Sequence, residues 1–280
     1  MRSLVPREAA RAPYREGIGL RRISAAIVAV VIEILSATEI ERMRRAGRAA
    51  AETLRHVGEL LRVGMTTADV DRLVRADTAR RGGRPSQLGY KGFPAAVCVS
   101  CNEVVCHGIP RADVRLRGGD IVNVDVTTEL DGFHGDTSAT FALPGASAEA
   151  LHVVDVARRC LAAGMAVLRD GARLGDLGAA IEELARREGC GVVREFGGHG
   201  IGRRMHQDPH VAHWGFRGGG ARLRAGMALT IEPMITLGTP GVRVLDDGWT
   251  VVTRDGSPSA QFEHTLIVTR DGCELTTSSP

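Results

Sequence analysis

The stretch Gly119–Leu143, GDIVNVDVTTELDGFHGDTSATFAL, reads as two runs rich in β-branched residues joined at Asp131-Gly132. An Asp-Gly pair between such runs is a strong signal for a tight hairpin. If those two residues form the turn, residue 130 faces 133 and 127 faces 136, and Asp125 shares the face of Asp136 diagonally across the hairpin. If the loop runs from Glu129 to Gly132, Asp125 and Asp136 lie directly opposite. Either loop puts two carboxylates on one face of a largely apolar sheet. Like charges there repel, and each is costly to desolvate. A bound cation resolves the cost.

The same arrangement recurs downstream. Gly119 precedes Asp125 as Gly226 precedes Glu232, and Asp136-Thr-Ser is echoed by Glu263-His-Thr. His107-Gly-Ile-Pro is echoed by His199-Gly-Ile-Gly. Helical signals also come in pairs. Ser36-Ala-Thr-Glu39 is a capping box, followed by apolar residues at helical spacing until Gly64, and Thr66-Thr-Ala-Asp69 opens a second helix that ends at Gly82-Gly83. Two further helices are predicted over Ser147–Asp170 and Leu174–Arg187. The chain therefore reads as two helices then strands, twice: a duplicated α+β half-domain with one site shared between the halves. Glu232 and Glu263 lie in the apolar strands LTIEPMI and AQFEHTLIV. Four carboxylates exceed what one catalytic zinc usually takes and suit a pair of divalent ions.

FGGHGIGRRMHQDPHV, Phe196–Val211, supplies the nitrogen ligand. Its glycines loosely resemble a dinucleotide fingerprint, but no helix or acidic partner follows at the required spacing and Pro209 opposes a long helix. The glycines are instead expected to let His199 approach a metal site or another strand closely. His107 and His206, in turn-rich segments, are candidates for binding or proton transfer. His134 shares the strand parity of Asp136 and is allowed as a ligand by spacing. His264 points away from the face of Glu263, His56 and His152 belong to helices, and His210 and His213 are expected at the surface.

Bulk properties exclude several classes. Over 280 residues, 36 basic and 33 acidic side chains leave a net charge of +3, too balanced for a nucleic-acid surface. Only 4% of residues are aromatic, which disfavours base-stacking platforms. Cys98 and Cys101 form the single CxxC, in a stretch that reads as a buried strand of reduced thiols. Residues 23–32, ISAAIVAVVI, follow an arginine-rich segment, but the run is too short to span a membrane and Glu33 interrupts it. Residues 1–31 are expected to be a non-core extension that ends in a short strand, and residues 32–280 one catalytic domain. A cytoplasmic protein without membrane attachment is expected.

The motifs NEVVCHGIP, GDIVNVDVT, DGFHGDTSATF, GHGIG, TIEPM, DGWTVVT and SAQFEHT together resemble the type I methionine aminopeptidases, over about Ile32 to Thr277. The resemblance implies the pita-bread fold, with pseudo-twofold duplicated helices packed on a curved, mostly antiparallel sheet. It implies two divalent metal ions (cobalt, manganese, iron or zinc) held by Asp125, Asp136, His199, Glu232 and Glu263, with Asp136 and Glu263 bridging. It further implies Glu232 as proton shuttle and His107 and His206 as groups that contact substrate and steady the transition state. Tyr90, Phe93, Cys98 and Trp249 match the apolar methionine pocket, with Met205 where bacterial relatives often carry phenylalanine. The implied reaction is hydrolysis of the N-terminal methionine from nascent polypeptides whose next residue is small, by a monomer that meets them at the ribosome or free of it. Gln207-Asp208 replaces an acidic pair beside His206. Residues 1–30 lack a counterpart in the short bacterial form, which points to an over-extended start or a non-catalytic leader.

Three other readings compete. Xaa-Pro aminopeptidases and prolidases share the fold but usually carry a sizeable N-terminal domain, for which the stretch before GFPAAVC leaves no room. Type II methionine enzymes insert a helical subdomain between the second histidine and the first glutamate, and His206 to Glu232 is too short for it. A non-catalytic peptide- or RNA-binding protein on the same scaffold would be expected to lose metal ligands, and all five types are retained.

Overall fold

The computed structural model describes residues 32–278; the expected extension over residues 1–31 lies outside them. Among the described residues, four α-helices form: α1 (Ala37–Leu60), α2 (Thr67–Arg80), α3 (Ala148–Ala166) and α4 (Leu174–Arg187). Their starts follow from the caps. Ser36 with Glu39 and Thr66 with Asp69 form reciprocal capping boxes, and the Ser147 hydroxyl accepts from the Ala150 N–H. At α4 the Asp176 carboxylate accepts the Arg173 N–H at 2.9 Å.

The helices cover a nine-stranded sheet, antiparallel at every pairing. Its central order is Ile121–Leu130, Phe133–Ala142, Glu263–Val268, Ala228–Ile231, Gly198–Gly200 and Gln207–Val211. Each half has its own core. Leu54 and Val57 of α1 and Val70 and Val74 of α2 pack on Val122, Val124 and Val126. Val153, Val156 and Cys160 of α3 with Leu177 and Ile181 of α4 pack on Leu229, Ile231 and Leu266. Strand side chains alternate between faces. Because Val122, Val124 and Val126 face the helices, Asn123, Asp125 and Thr127 face the opposite side, where the polar site lies.

The duplication is legible in the backbone. Isolated bridges join Thr66 to Arg115 and Arg173 to Arg222, each at the start of the second helix of its half. The same number of residues separates Thr66 from Arg173, Arg115 from Arg222 and Asp125 from Glu232. Gly119 and Gly226, at the same separation, both turn the chain with φ near +90° (93° and 90°) before their strands.

The hairpin takes the shorter of the two loops. Leu130 pairs with Phe133 and Thr127 with Asp136, and Asp131 and Gly132 have φ of 53° and 79°. Asp125 therefore pairs with Ser138 and lies diagonal to Asp136. The segment after His206, read as a turn, instead forms the strand Gln207–Val211 at the sheet edge.

Helix α1 reaches the hairpin through two glycines. A Cβ on Gly135 would lie 2.4 Å from the Gly47 Cα, where only backbone could give way. Overpacking of this kind typically costs about 1–3 kcal/mol. Gly135→Ala is expected to lower the melting temperature by roughly 3–10 °C in a thermal denaturation scan; an unchanged midpoint would show that α1 can shift freely on the sheet.

Candidate active site

The five candidate ligands and the seven other residues that the resemblance implicates line one cavity of about 180 Å³. Asp125, Asp136, His199, Glu232 and Glu263 form its floor. His107, His206, Tyr90, Phe93, Cys98, Met205 and Trp249 form its walls, joined by Gln87, Lys91 and Thr127, which sequence reasoning missed. The cavity is smaller than the roughly 300–1,000 Å³ of pockets that enclose whole drug-sized ligands. It suits one side chain and the bond beside it.

The glycines around His199 serve strand packing. A Cβ on Gly198 would lie 2.3 Å from the Thr230 carbonyl oxygen, and one on Gly200 would lie 2.0 Å from the Asp208 carbonyl oxygen. The Gly198–Gly200 strand thus fits between its two neighbours only without side chains on either side of His199. The His199 Nδ1 lies 3.0 Å from the Gly200 carbonyl, which can only accept, so Nδ1 carries the proton. The bare Nε2 then faces Glu232 Oε1 at 3.5 Å and Asp136 Oδ2 at 3.8 Å. Ligand atoms of Asp136, His199 and Glu263 all lie within 4.8 Å of one another.

The electrostatics fit a bound cation. Burial pushes the carboxyls of Asp125, Glu232 and Glu263 well above their usual range, and the Asp136 charge pushes them further. Burial raises Asp136 to about 7. It also lowers His199 to about 3, which keeps a lone pair on Nε2. Among the described residues, no lysine or arginine forms an ion pair with any of the four carboxylates. Glu263 Oε1 is buried without a hydrogen-bond partner. An acceptor left so, among acids that repel one another, is satisfied by a divalent ion.

These shifts have a measurable consequence. Acids with raised pKa hold protons at pH 7 when no ion is bound, and an ion needs them deprotonated. Metal uptake at pH 7 is therefore expected to expel protons, and affinity to fall as pH drops below about 7. Calorimetric titration in two buffers of different ionisation enthalpy checks this; equal heats in both would contradict it.

The carboxylates are braced by groups that carry no sequence signature of their own. Thr127 Oγ1 donates to Asp136 Oδ1 at 2.7 Å, and Thr230 Oγ1 donates to Glu232 Oε1 at 2.8 Å. Thr230 Oγ1 also accepts the His199 N–H at 2.9 Å. Gln87 Nε2 donates to the Asp125 carbonyl at 2.8 Å and to its Oδ1 at 3.2 Å. Thr127 and Thr230 could have been found by strand parity, each two residues from an acid on the same face. Gln87 could not, because it comes from a loop.

On the walls, Phe93 meets Trp249 edge-on at 5.1 Å between ring centroids, with Cys98 in the same apolar cluster. Tyr90 stacks on His206 at 5.1 Å, and His206 lies 4.1 Å from the His199 ring. Burial lowers the His107 pKa; partial burial in the cleft and then the Lys91 ammonium lower His206 to about 4. Both rings are therefore neutral at pH 7 and can donate one N–H. His107 follows the strand Val104–Cys106 with φ 55°, a strained conformation for a side-chain-bearing residue. It is held there because the neighbouring Gly108 lies tight against the Val99 carbonyl.

Other expectations change. His134 does not reach the cavity; its Nδ1 pairs with the Ser86 hydroxyl at 2.8 Å. His213, expected at the surface, is only 1% exposed, and its Nε2 accepts the Glu232 N–H at 3.1 Å. Cys98 and Cys101 stand at opposite parity in the strand Cys98–Cys101, on opposite faces, so they cannot close on one ion. No helix among the described residues is long and apolar enough to cross a membrane.

A curved antiparallel sheet that gathers four acids and one imidazole on the floor of a cavity with aromatic and apolar walls fits a metallopeptidase, and residues 41–270 match metallopeptidase family M24. Methionine aminopeptidase A of Synechocystis is 48% identical over 246 residues, covering 88% of this chain and 97% of that protein. The methionine aminopeptidase of Salmonella typhimurium is 45% identical, covering 89% and 94%. The crystal structure of methionine aminopeptidase from Rickettsia prowazekii superposes with a TM-score of 0.87 at 42% identity, covering 89% of this chain and all of that one. The chain belongs to metallopeptidase family M24 and, within it, to the methionine aminopeptidases, which have the pita-bread fold.

Proposed function

We propose that this chain removes the N-terminal methionine from nascent proteins and peptides whose second residue is small, using two divalent metal ions. The observation that carries the reading is the junction, in one cavity, of the acid–imidazole floor with walls that include Tyr90, Phe93, Cys98, Met205 and Trp249. Asp125, Asp136, His199, Glu232 and Glu263 would hold the ions, with Asp136 and Glu263 serving both. When bound, the ions would lower the pKa of water and polarise the scissile carbonyl.

The chain's own groups do the rest. Tyr90, Phe93, Cys98, Met205 and Trp249 enclose the methionine side chain, so the peptide enters by its terminus. Glu232 takes a proton from water and passes it to the leaving amide. His107 and His206 donate N–H groups to the developing oxyanion and the substrate amide. A donor set of carboxylates and one imidazole accepts manganese, iron, cobalt or zinc, and availability selects among them. The enzyme acts in the cytoplasm as a monomer, on termini presented at the ribosome or free of it. Residues 32–280 form the catalytic domain, so deleting residues 1–30 is expected to leave turnover of a Met-Ala peptide nearly unchanged; loss of most activity would place the leader inside the domain.

The test of the activity is a metal series added to apo-protein, with free methionine measured from Met-Ala and Met-Gly peptides. Release of methionine with at least one of these metals is expected. Cleavage confined to X-Pro peptides would favour the Xaa-Pro reading, and metal uptake without cleavage of either would favour a peptide-binding protein.

A further inference from the structure

Glu232 sits where the chain changes sheets. Ile231 pairs with His264 in the nine-stranded sheet, while Met234 pairs with Gln261 in a three-stranded one. Glu232 and Pro233 fall between, and Pro233 has no N–H. The Glu232 N–H is thereby left outside both ladders. A buried N–H without an acceptor costs about as much as a lost hydrogen bond. The acceptor here is a side chain: His213 Nε2, at 3.1 Å.

His213 is itself held firmly. It lies two residues after Val211, which pairs with Gly198 beside His199. The next residue, Trp214, packs its backbone against α4, where a Cβ on Gly178 would lie 2.3 Å from the Trp214 carbonyl oxygen. The other polar atoms of Glu232 are also fixed. Oε1 accepts from Thr230, and Oε2 and the carbonyl accept from Gln261 Nε2 at 3.3 and 3.4 Å. His213 ties down the N–H of the residue from which the carboxylate projects.

We propose that His213 is a positioning residue for Glu232: by accepting its N–H at the strand switch, it sets the angle at which the carboxylate faces the metal pair. This rests on the reading of Glu232 as a metal ligand. A residue that orients a ligand typically costs about 10- to 100-fold in metal affinity or activity when lost. Glutamine can present Oε1 where His213 presents Nε2, and so can accept the same N–H.

The experiment compares wild type, His213→Ala and His213→Gln as full chains, titrated calorimetrically with manganese(II) alone, beside kcat and KM for a Met-Ala peptide. His213→Ala is expected to bind manganese about 10- to 100-fold more weakly, with kcat falling more than KM changes. His213→Gln is expected to return both to within a few-fold of wild type. A wild-type isotherm and kcat in folded His213→Ala overturn the inference. If His213→Ala does not fold, His213→Gln decides: a wild-type isotherm supports the acceptor role, and a weakened one overturns it. Wild type that takes up no manganese overturns the metal reading along with the inference, whereas normal uptake by wild type and His213→Ala overturns the inference alone.

Discussion

Asp136→Ala is expected to purify without its metal complement and to lose activity by about 1000-fold or more. Asp136 is 5% exposed, and one carboxylate oxygen takes the Thr127 hydroxyl while the other faces His199. Its ligand atom falls in the same 4.8 Å cluster as those of His199 and Glu263, so its removal opens the middle of the site. Ion-supplied stabilisation of a transition state amounts to several kcal/mol, and each 1.36 kcal/mol is about tenfold in rate. Thr265 keeps the strand in place: its hydroxyl accepts the Asp136 N–H and donates to the Asp136 carbonyl, at 2.9 and 2.8 Å. The variant should therefore fold. Relief of acid repulsion should leave its melting temperature no lower than that of the metal-free wild type. A variant that folds, keeps two ions and turns over would remove Asp136 from the bridging position.

His107→Ala and His206→Ala are expected to behave in the opposite way, holding two ions while kcat falls about 100- to 1000-fold, the usual cost of losing one donor aimed at developing charge. Neither ring has a carboxylate of the floor within ion-pair distance, and both are walls of the cavity rather than members of the cluster. His206 stacks on Tyr90 and His107 sits edge-on to Phe196 at 5.5 Å, so truncation leaves a local gap in the cavity wall. The check is metal analysis of each purified variant beside its kinetics. If His107→Ala comes out metal-free, His107 belongs among the ligands and the role given to it is wrong.

Much of this was legible because it is local. Asp131-Gly132 marks the turn, with positive φ at both positions, and either even-length loop there carries Asp125 and Asp136 to one face. Capping boxes set the starts of α1 and α2, and the spacing of Gly119 and Gly226 from their acids exposed the duplication. What escaped depends on contacts distant in sequence. Nothing near His213 indicates burial, because its partner is an N–H freed by a strand switch at Glu232. Gln87 reaches Asp125 from a loop that no period describes. The glycines beside His199 were correctly read as a close approach, but which strand approaches, Ala228–Ile231 on one side and Gln207–Val211 on the other, follows only from the sheet order. The same holds for His134, whose parity is right and whose position along the strand brings it to Ser86 instead.

The central claim is that five side chains from both halves converge to hold a pair of divalent ions. Anomalous diffraction from crystals grown with manganese tests it most directly. Two peaks are expected on the cavity floor, both within coordination distance of Asp136 and Glu263, with Asp125, His199 and Glu232 completing the shells. A cavity without peaks, or any of the five side chains turned to bulk solvent, would contradict it.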